Sequence, residues 1–388
     1  MNDIQGAAAP EFEHVVEAFA ATAGETGGSA LSIRIEGETV VDVWHGHASS
    51  SPAAPWQQTT PAVIFSGTKG LVAILAARLV EAGALDLDAP VSRYWPEFAA
   101  AGKESITVRQ VMSHRAGLAA LRADVDLATA LDWTAMTERL AAEEPLWEPG
   151  TQYGYHALTY GWLVGEIVRR ITGTPVGRFF REEIVEPLSA DAWIGIPADR
   201  EQAVARLTRG GSMDAPPPGG MPELDPEQAR WMGRTMTLGA AFPAELVVPG
   251  AGFDDPKVHE AEIPGAGGIG TAHALATIWS STVIRTDGHR LLGEDVVTEM
   301  TRVQSEGEPV WWLPGPYPRW GTGFMIPSER RPFLSPESFG HDGAGGQVTF
   351  ADRRHRVGFA YVTNLMELHS DDRGDAIVRA LGDVLHRS

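Results

Sequence analysis

The sequence predicts an α/β (α+β) fold in which strands from both ends of the chain form one antiparallel sheet flanked by helices. Strand-like patterns occur before residue 66 and return after residue 320, whereas the stretch between them shows apolar residues at helical spacing and few strand signals. We therefore expect residues 1–84 and 265–388 to form an α/β sheet lobe. Residues 85–264 should form an inserted, mainly helical lobe.

The first eighty residues predict a helix, a hairpin and a strand that leads into a second helix. Apolar positions recur at helical spacing from Pro10 to Ala23. Two runs rich in Val and Ile, Ser29–Ile35 and Thr39–Trp44, flank a Glu-Gly-Glu turn and predict a hairpin. Residues 63–65, Val-Ile-Phe, precede a run that is apolar on nearly every side from Gly70 to Leu79, which is typical of a buried helix.

The same periodicities place the remaining elements. The predicted helices of the middle section cover Thr107–Ser113, Trp133–Ala142 and Thr159–Thr172. The predicted strands of the last section cover Gly321–Ile326, Ser338–Gly340, Val348–Ala351 and Val357–Thr363, and a helix over Asp372–His386 follows them.

Composition excludes several classes of function. The chain has 388 residues, 43% of them hydrophobic, which is ordinary for a globular protein large enough for two lobes. Its net charge of -20 argues against nucleic acid or an anionic membrane as partner. It contains no cysteine, so thiolate catalysis and disulfides are excluded. The longest apolar stretch is broken by charges and the start lacks secretory features, so we expect a cytoplasmic protein.

Ser66-Gly67-Thr68-Lys69 is the stretch that carries the most chemical information. Residues three apart share a helix face, so the Lys69 amine can reach the Ser66 hydroxyl and activate it as a nucleophile. Burial disfavours the ammonium form, so Lys69 is a candidate base. The alternative is that Ser66 only caps a buried helix and Lys69 extends to solvent.

Ser66-x-x-Lys69 resembles the signature of the serine β-lactamase and penicillin-binding-protein superfamily. Further segments resemble the class C-like members in the same order along the chain, over roughly residues 30–365. They are Leu85-Asp86-Leu87-Asp88, Ile106-Thr107-Val108-Arg109, Ser113-His114-Arg115-Ala116-Gly117-Leu118, Pro149-Gly150-Thr151-Gln152-Tyr153-Gly154-Tyr155 and Gly340-His341-Asp342-Gly343-Ala344-Gly345-Gly346. The resemblance implies the β-lactamase-like fold, with the active site at the interface of the two lobes.

Two departures make the chain most similar to the β-lactamase-like, family VIII carboxylesterases. The Tyr-x-Asn motif of lactamases is replaced by Tyr155-His156-Ala157, and Lys-Thr-Gly by His341-Asp342-Gly343. The chain therefore lacks an amide for a lactam side chain and a fixed cation for its carboxylate. The resemblance implies a serine hydrolase that cleaves small-molecule esters of short or medium acyl chains. An amidase or D-amino-peptide hydrolase, a weak β-lactamase and a catalytically silent binding protein are the alternatives.

The resemblance also implies the catalytic roles. Ser66 is the expected nucleophile, and a Lys69 ammonium that favours a Tyr155 phenolate is one way to remove its proton. Backbone N–H groups of Ser66 and Ala344 are the expected oxyanion hole. His341 is expected to be a titratable catalytic group. Its titration should give the esterase kcat/KM a limb near pH 6 to 7, within about one unit of the pKa of a free imidazole. Tyr153 is the alternative to Tyr155, and a strand residue without catalytic function is the alternative for His341.

Substrate contacts and cofactors complete the expectations. The resemblance implies contacts from Gly343 and His156, and Trp311 and Trp312 lie in an aromatic-rich segment that would wall an acyl pocket. No metal or cofactor is expected. The run Gly265-Ala266-Gly267-Gly268-Ile269-Gly270 matches a nucleotide-binding pattern, but no convincing strand precedes it.

Overall fold

The computed structural model describes residues 4–24, 26–50, 53–215, 224–311, 315–368 and 371–387. The strands of these residues are β1 Gln5–Ala8, β2 Gly28–Ile35, β3 Glu38–Ser50, β4 Ala53–Pro55, β5 Ala62–Phe65, β6 Ala192–Ile194, β7 Thr208–Arg209, β8 Gly268–Gly270, β9 Arg319–Trp320, β10 Met325–Ile326, β11 Ser338–Gly343, β12 Gln347–Asp352, β13 Val357–Thr363 and β14 Leu365–Met366. The α-helices are α1 Glu13–Ala20, α2 Gly67–Glu81, α3 Val108–Met112, α4 Leu127–Leu131, α5 Trp133–Ala142, α6 Thr159–Thr172, α7 Val176–Phe180, α8 Glu186–Leu188, α9 Pro226–Thr237, α10 Pro256–Glu260, α11 Ala272–Val283, α12 Glu294–Met300 and α13 Arg373–Leu385.

The main sheet joins the two ends of the chain. Its strand order is β1-β3-β2-β13-β12-β11-β10-β9, with β4 paired to β3, and its pairings are antiparallel. In the central pair, β2 lies against β13 from Ser29 opposite Thr363 to Ile35 opposite Val357. The predicted fold class is therefore confirmed.

Each face of the sheet is covered by helices, as the period-2 pattern of its strands requires. On β2, Leu31 and Ile33 pack into a core with α1 and α13, whereas Ala30 faces the opposite core. On β13, Phe359 and Ala360 divide between the two faces in the same way. The second face is covered by α11 and α2, whose residues are almost all buried. The apolar run after Lys69 therefore forms a core helix.

The middle of the chain is mainly helical but also contributes short strands. β6 pairs with β8 in a three-stranded sheet with β5, and β7 pairs in parallel with β14. Of these strands the sequence predicts only β5, because the two or three residues of β6, β7, β8 and β14 carry no readable period. The division of the chain at 84/85 and 264/265 stays a prediction.

One predicted strand is only partly a strand in the structure, since β10 covers its last two residues and β9 lies before it. The sequence predicts a continuous strand over residues 321–326, but Gly321 and Gly323 lie between β9 and β10. Gly323 has φ +88°, a left-handed conformation that interrupts the extended backbone. Among the helices within the described ranges, none is both long and apolar enough to cross a membrane.

Candidate active site

Ser66 lies at a sharp transition from strand to helix. β5 ends at Phe65 and α2 begins at Gly67, so Ser66 occupies the junction and is half-buried. Phe65 has φ +45°, which is unusual for a bulky side chain and typical of functional sites. Thr68 holds this turn, because its Oγ1 donates to the Phe65 carbonyl at 2.5 Å and accepts from Gly268 N–H at 2.7 Å. At this turn Ser66 lines two cavities.

Lys69 lies one turn into α2 and is fully buried. Its Nζ is 2.7 Å from the Ala157 carbonyl, 2.6 Å from the Gly265 carbonyl and 3.1 Å from Ser66 Oγ. A neutral amine has two N–H groups and one lone pair. The two carbonyls accept both N–H groups, so the lone pair is left for the Ser66 hydroxyl. The alternative of a solvent-directed Lys69 is therefore wrong.

Tyr155, rather than Tyr153, is the tyrosine beside Ser66. The Tyr155 hydroxyl is hydrogen-bonded to Ser66, and its ring lies 4.9 Å from Lys69 Nζ. The Tyr153 hydroxyl instead donates to the Gly307 carbonyl at 2.5 Å, in a position where the ring packs under the sheet. The structure thus brings Ser66, Lys69 and Tyr155 together.

The pKa shifts of Lys69 and Tyr155 differ from the expected pair of a Lys69 ammonium and a Tyr155 phenolate. Burial lowers the pKa of Lys69 well below its ordinary value, and burial raises the pKa of Tyr155, against a smaller lowering from its bond to Ser66. Both shifts favour the neutral forms, an amine and a phenol. Both directions oppose the expected Tyr155 phenolate beside a Lys69 ammonium, and they favour Lys69 as the proton acceptor.

His341 lies on β11 in the wall of the cavity that contains Ser66 and is 1% exposed. Its Nδ1 donates to the Asp342 carbonyl at 2.6 Å, which leaves Nε2 as an acceptor without a partner among the described residues. Burial is the main cause that lowers the pKa of His341 to about 3. The expected pH limb near 6 to 7 is therefore wrong, because the ring is neutral throughout that range.

His156 does not take part in substrate binding. It is fully buried, its Nε2 accepts from Leu118 N–H at 3.0 Å, and its Nδ1 donates to the Gly154 carbonyl at 2.6 Å. Both ring nitrogens therefore hold backbone around Tyr155. The prediction of a substrate contact is wrong, because the sequence motif gives the position of His156 but not the direction of its ring.

The segment after β11 reaches the same cavity as Ser66. Gly343 pairs with Gln347 at the end of the β11–β12 hairpin, and Ala344 follows it in the turn. A Cβ on Gly343 would lie 2.1 Å from the carbonyl oxygen of Ile64 on β5. Only glycine permits this approach of the turn to the strand that ends at the nucleophile.

Two cavities of about 320 Å³ each meet at Ser66 and share Ser66, Met236, Ala344 and Leu368. We name the first the charged cavity, and its wall includes Tyr155, Arg330, Arg331, His341, Asp342, Glu367 and Asp371. We name the second the apolar cavity, and its wall includes Phe65, Leu158, Met213, Phe242, Leu246 and Phe253, with Arg209 and Glu245 as its charged members. No local sequence pattern predicts the apolar cavity, because its wall comes from separate stretches of chain.

Trp311, which the sequence predicts to wall an acyl pocket, lines neither of the two cavities that meet at Ser66. Its ring stacks on Trp231 of α9 at 5.7 Å and meets Trp147 edge-on at 5.3 Å. With Tyr155 and Met236 it lines a small recess of about 50 Å³. Trp312 lies outside the described residues.

The beta-lactamase family profile matches residues 12–383 of the chain. The chain belongs to this family. Among curated proteins it is similar to the esterase/beta-lactamase LipL of Mycobacterium tuberculosis (strain ATCC 25618 / H37Rv), with 37% identity over 382 residues that cover 92% of this chain and 82% of the relative.

Solved structures give the same result. A family VIII carboxylesterase superposes with a TM-score of 0.85 and 34% identity, and the match covers 98% of this chain and all of the other. EstA from Arthrobacter nitroguajacolicus Rue61a superposes with a TM-score of 0.87 and 30% identity over 99% of each chain. The predicted superfamily is confirmed, and so is the prediction of a hydrolase.

Proposed function

We propose that the chain is a serine carboxylesterase that cleaves esters of short or medium acyl chains through a covalent acyl-enzyme on Ser66. The observation that supports this most is the set of partners of Lys69. Two carbonyls accept from its Nζ, and the third neighbour of Nζ, 3.1 Å away, is the Ser66 hydroxyl, which would donate to the lone pair of a neutral amine. An ester hydrolase needs such an activated hydroxyl, whereas a binding protein does not.

Acylation follows from this geometry. The Ser66 proton moves to Lys69 Nζ as the oxygen attacks the ester carbonyl, and the resulting oxyanion accepts from the N–H groups of Ser66 and Ala344. The proton of Lys69 then replaces the one that Tyr155 gives to the leaving alcohol. Water then attacks the carbonyl of the acyl-enzyme, the proton transfers run in the opposite direction, and the acid is released as Ser66 regains its proton.

The position of Tyr155 indicates which cavity takes the alcohol of the ester and which takes the acyl chain. A group that protonates the leaving oxygen must lie within hydrogen-bond reach of it. Tyr155 lines the charged cavity but not the apolar one. The alcohol therefore leaves through the charged cavity, and the acyl chain occupies the apolar cavity. Burial of each added methylene is worth about 0.8 kcal/mol, or roughly fourfold in kcat/KM, until the cavity is full.

The relatives support an ester rather than a lactam as substrate. One similar solved structure is described as a family VIII carboxylesterase, and the similar LipL as an esterase/beta-lactamase. In this chain Ala157 offers no side-chain amide, and the neutral ring of His341 replaces a fixed cation. Small-molecule esters as the only partners, and a cytoplasmic location, stay predictions from the acidic, cysteine-free composition.

The test combines labelling with turnover. An alkyl p-nitrophenyl phosphonate should add one adduct per chain, found on Ser66 by peptide mass analysis and absent from Ser66→Ala. The control is Ser113→Ala, which removes a buried hydroxyl outside both cavities. A series of p-nitrophenyl esters should rise in kcat/KM from acetate to a medium chain and then fall. An adduct on another serine, or full activity in Ser66→Ala, would refute the proposal.

The same assay compares esters with a chromogenic cephalosporin. The two missing polar contacts are worth about 1.5 kcal/mol each, so kcat/KM for p-nitrophenyl butyrate should exceed that for nitrocefin by at least about 100-fold. Equal values would favour a lactamase instead.

A further inference from the structure

The turn that carries Ala344 cannot fix its own conformation. It contains three residues, Ala344, Gly345 and Gly346, between the paired ends of β11 and β12. Gly345 has φ +79° and Gly346 has φ +109°, values that glycine adopts among many others. Because glycine is torsionally permissive, the direction of the Ala344 N–H must be set by contacts from outside the turn.

Arg373, at the first position of α13, supplies those contacts. Its Nη2 donates to the Gly345 carbonyl at 2.9 Å and to the Leu365 carbonyl at 3.0 Å. The guanidinium also makes a two-pronged ion pair with Asp371, with Nε to Oδ1 at 2.8 Å and Nη2 to Oδ2 at 2.7 Å. One side chain therefore ties the turn to β14 and to the start of α13. Both partners of the ion pair are 12% exposed, so solvent competes little with these bonds.

The turn packs closely against the ion pair and against β14. A Cβ on Gly346 would lie 2.4 Å from Asp371 Oδ2 and 2.5 Å from Arg373 Nη2. A Cβ on Gly345 would lie 2.2 Å from Met366 Sδ. The turn thus rests directly on the ion pair and on β14.

We propose that Arg373, oriented by Asp371, is a positioning residue that holds the Ala344 N–H in the direction needed for the oxyanion. This inference rests on the proposed function, since it assigns a supporting residue to the same site. Arg373 does not line either cavity, although its partner Asp371 lines the charged one, and its bond to the turn is the one to the Gly345 carbonyl. Arg373 should therefore stabilise the tetrahedral state and not the bound ester, because negative charge develops on the substrate carbonyl oxygen only in that state.

The test uses Arg373→Lys and Arg373→Met. Lysine keeps the charge, but its single nitrogen cannot reproduce the fork that reaches Asp371 and two carbonyls in fixed geometry. Loss of one oxyanion donor costs about 100-fold or more in kcat, so a misplaced donor should cost roughly 10- to 100-fold. We expect both variants to show this fall in kcat on p-nitrophenyl butyrate, with KM changed less than about threefold.

A second measurement does not depend on ester turnover. Butylboronic acid forms a tetrahedral adduct when Ser66 Oγ bonds to boron and the Ser66 proton passes to Lys69. One boron oxygen then occupies the oxyanion position. Its inhibition constant should rise in both variants by a factor similar to the fall in kcat. Active sites are counted by phosphonate labelling, so unfolded protein does not enter the comparison.

Arg169→Lys is the matched control. Arg169 also makes a two-pronged ion pair, with the buried Glu166, but on α6 and away from the turn. It should lower thermal stability while leaving kcat and boronate binding unchanged. If Arg373→Lys and Arg373→Met behave like Arg169→Lys, the inference is wrong and Arg373 only anchors α13. If the wild-type protein binds boronate but cleaves no ester, the proposed function fails while the boronate series still tests Arg373.

Discussion

Two buried lysines in this chain have nearly the same surroundings and different chemistry. Lys69 and Lys103 are both fully buried, and both place Nζ among backbone carbonyls. Lys103 donates to the carbonyls of Ala100 at 2.8 Å, Ala141 at 2.9 Å and Glu143. Lys69 has two carbonyls, and its third partner is the hydroxyl of Ser66.

The third partner decides what each lysine can do. Three carbonyls require three N–H donors, so Lys103 satisfies its surroundings only as an ammonium. A hydroxyl can donate as well as accept, so Lys69 satisfies its surroundings as a neutral amine. Burial lowers the pKa of both side chains, although the Glu143 carboxylate opposes the shift at Lys103. Lys103 therefore ties three backbone carbonyls together, whereas Lys69 is placed to act as the proposed base.

The largest expected effect is the loss of activity in Lys69→Met. Removal of the base should lower kcat on p-nitrophenyl butyrate by about 10³-fold, since positioned bases contribute 10²- to 10⁴-fold. The measurement is steady-state turnover per folded molecule. Activity within tenfold of the wild type would show that another group accepts the Ser66 proton.

Tyr155→Phe should come next, with a loss of roughly 10²-fold in kcat from the missing proton donor. Tyr155 and Lys69 act on the same proton, so the double variant should lose little more than Lys69→Met alone. Tyr153→Phe is the matched control and should retain turnover, because its hydroxyl bonds only to backbone carbonyls outside the site. If the losses of kcat in the two single variants multiply in the double variant, Tyr155 and Lys69 act independently.

Lys103→Met should reverse the pattern of Lys69→Met. It leaves three buried carbonyls without their donor, which should lower the free energy of unfolding by about 2 kcal/mol. Turnover of the folded protein should stay within about twofold of the wild type, since energetic coupling between distant sites without shared partners is small. Thermal and denaturant unfolding check the loss of stability. A large loss of kcat in Lys103→Met would remove the distinction between the two lysines.

The smallest effect concerns the shape of the pH profile. Because burial lowers the pKa of Lys69, kcat/KM should rise with pH through that lowered value and reach its plateau below the ordinary lysine range. The raised pKa of Tyr155 should extend the plateau past about pH 10, where a free tyrosine ionises. His341→Gln should leave the shape unchanged, since the pKa of His341 is about 3. A limb near neutral pH that disappears in His341→Gln would contradict this protonation.

The sequence predicts the features that depend on spacing along the chain. Ser66 and Lys69 share a helix face, and the apolar run behind them predicts a buried helix, so the residue pattern predicts the contact between the Lys69 amine and the Ser66 hydroxyl. Features that depend on burial cannot be predicted from such spacing. The neutral state of His341 and the inward ring of His156 result from packing by distant segments. Arg373 reaches a turn that lies nearly thirty residues earlier in the chain, and no local pattern indicates that contact.

The pairing of β2 with β13 has a consequence for the synthesis of the protein. Residues 29–35 emerge from the ribosome more than 300 residues before their partners at 357–363. Until then, β2 presents an unpaired edge on a hairpin with apolar faces, which is the kind of surface that associates with other chains. Closure of so long a loop is slow compared with local hairpin formation. The hydrolase should therefore become active only after almost the whole chain has been made. Chaperones that shield strand edges should raise the yield of folded protein.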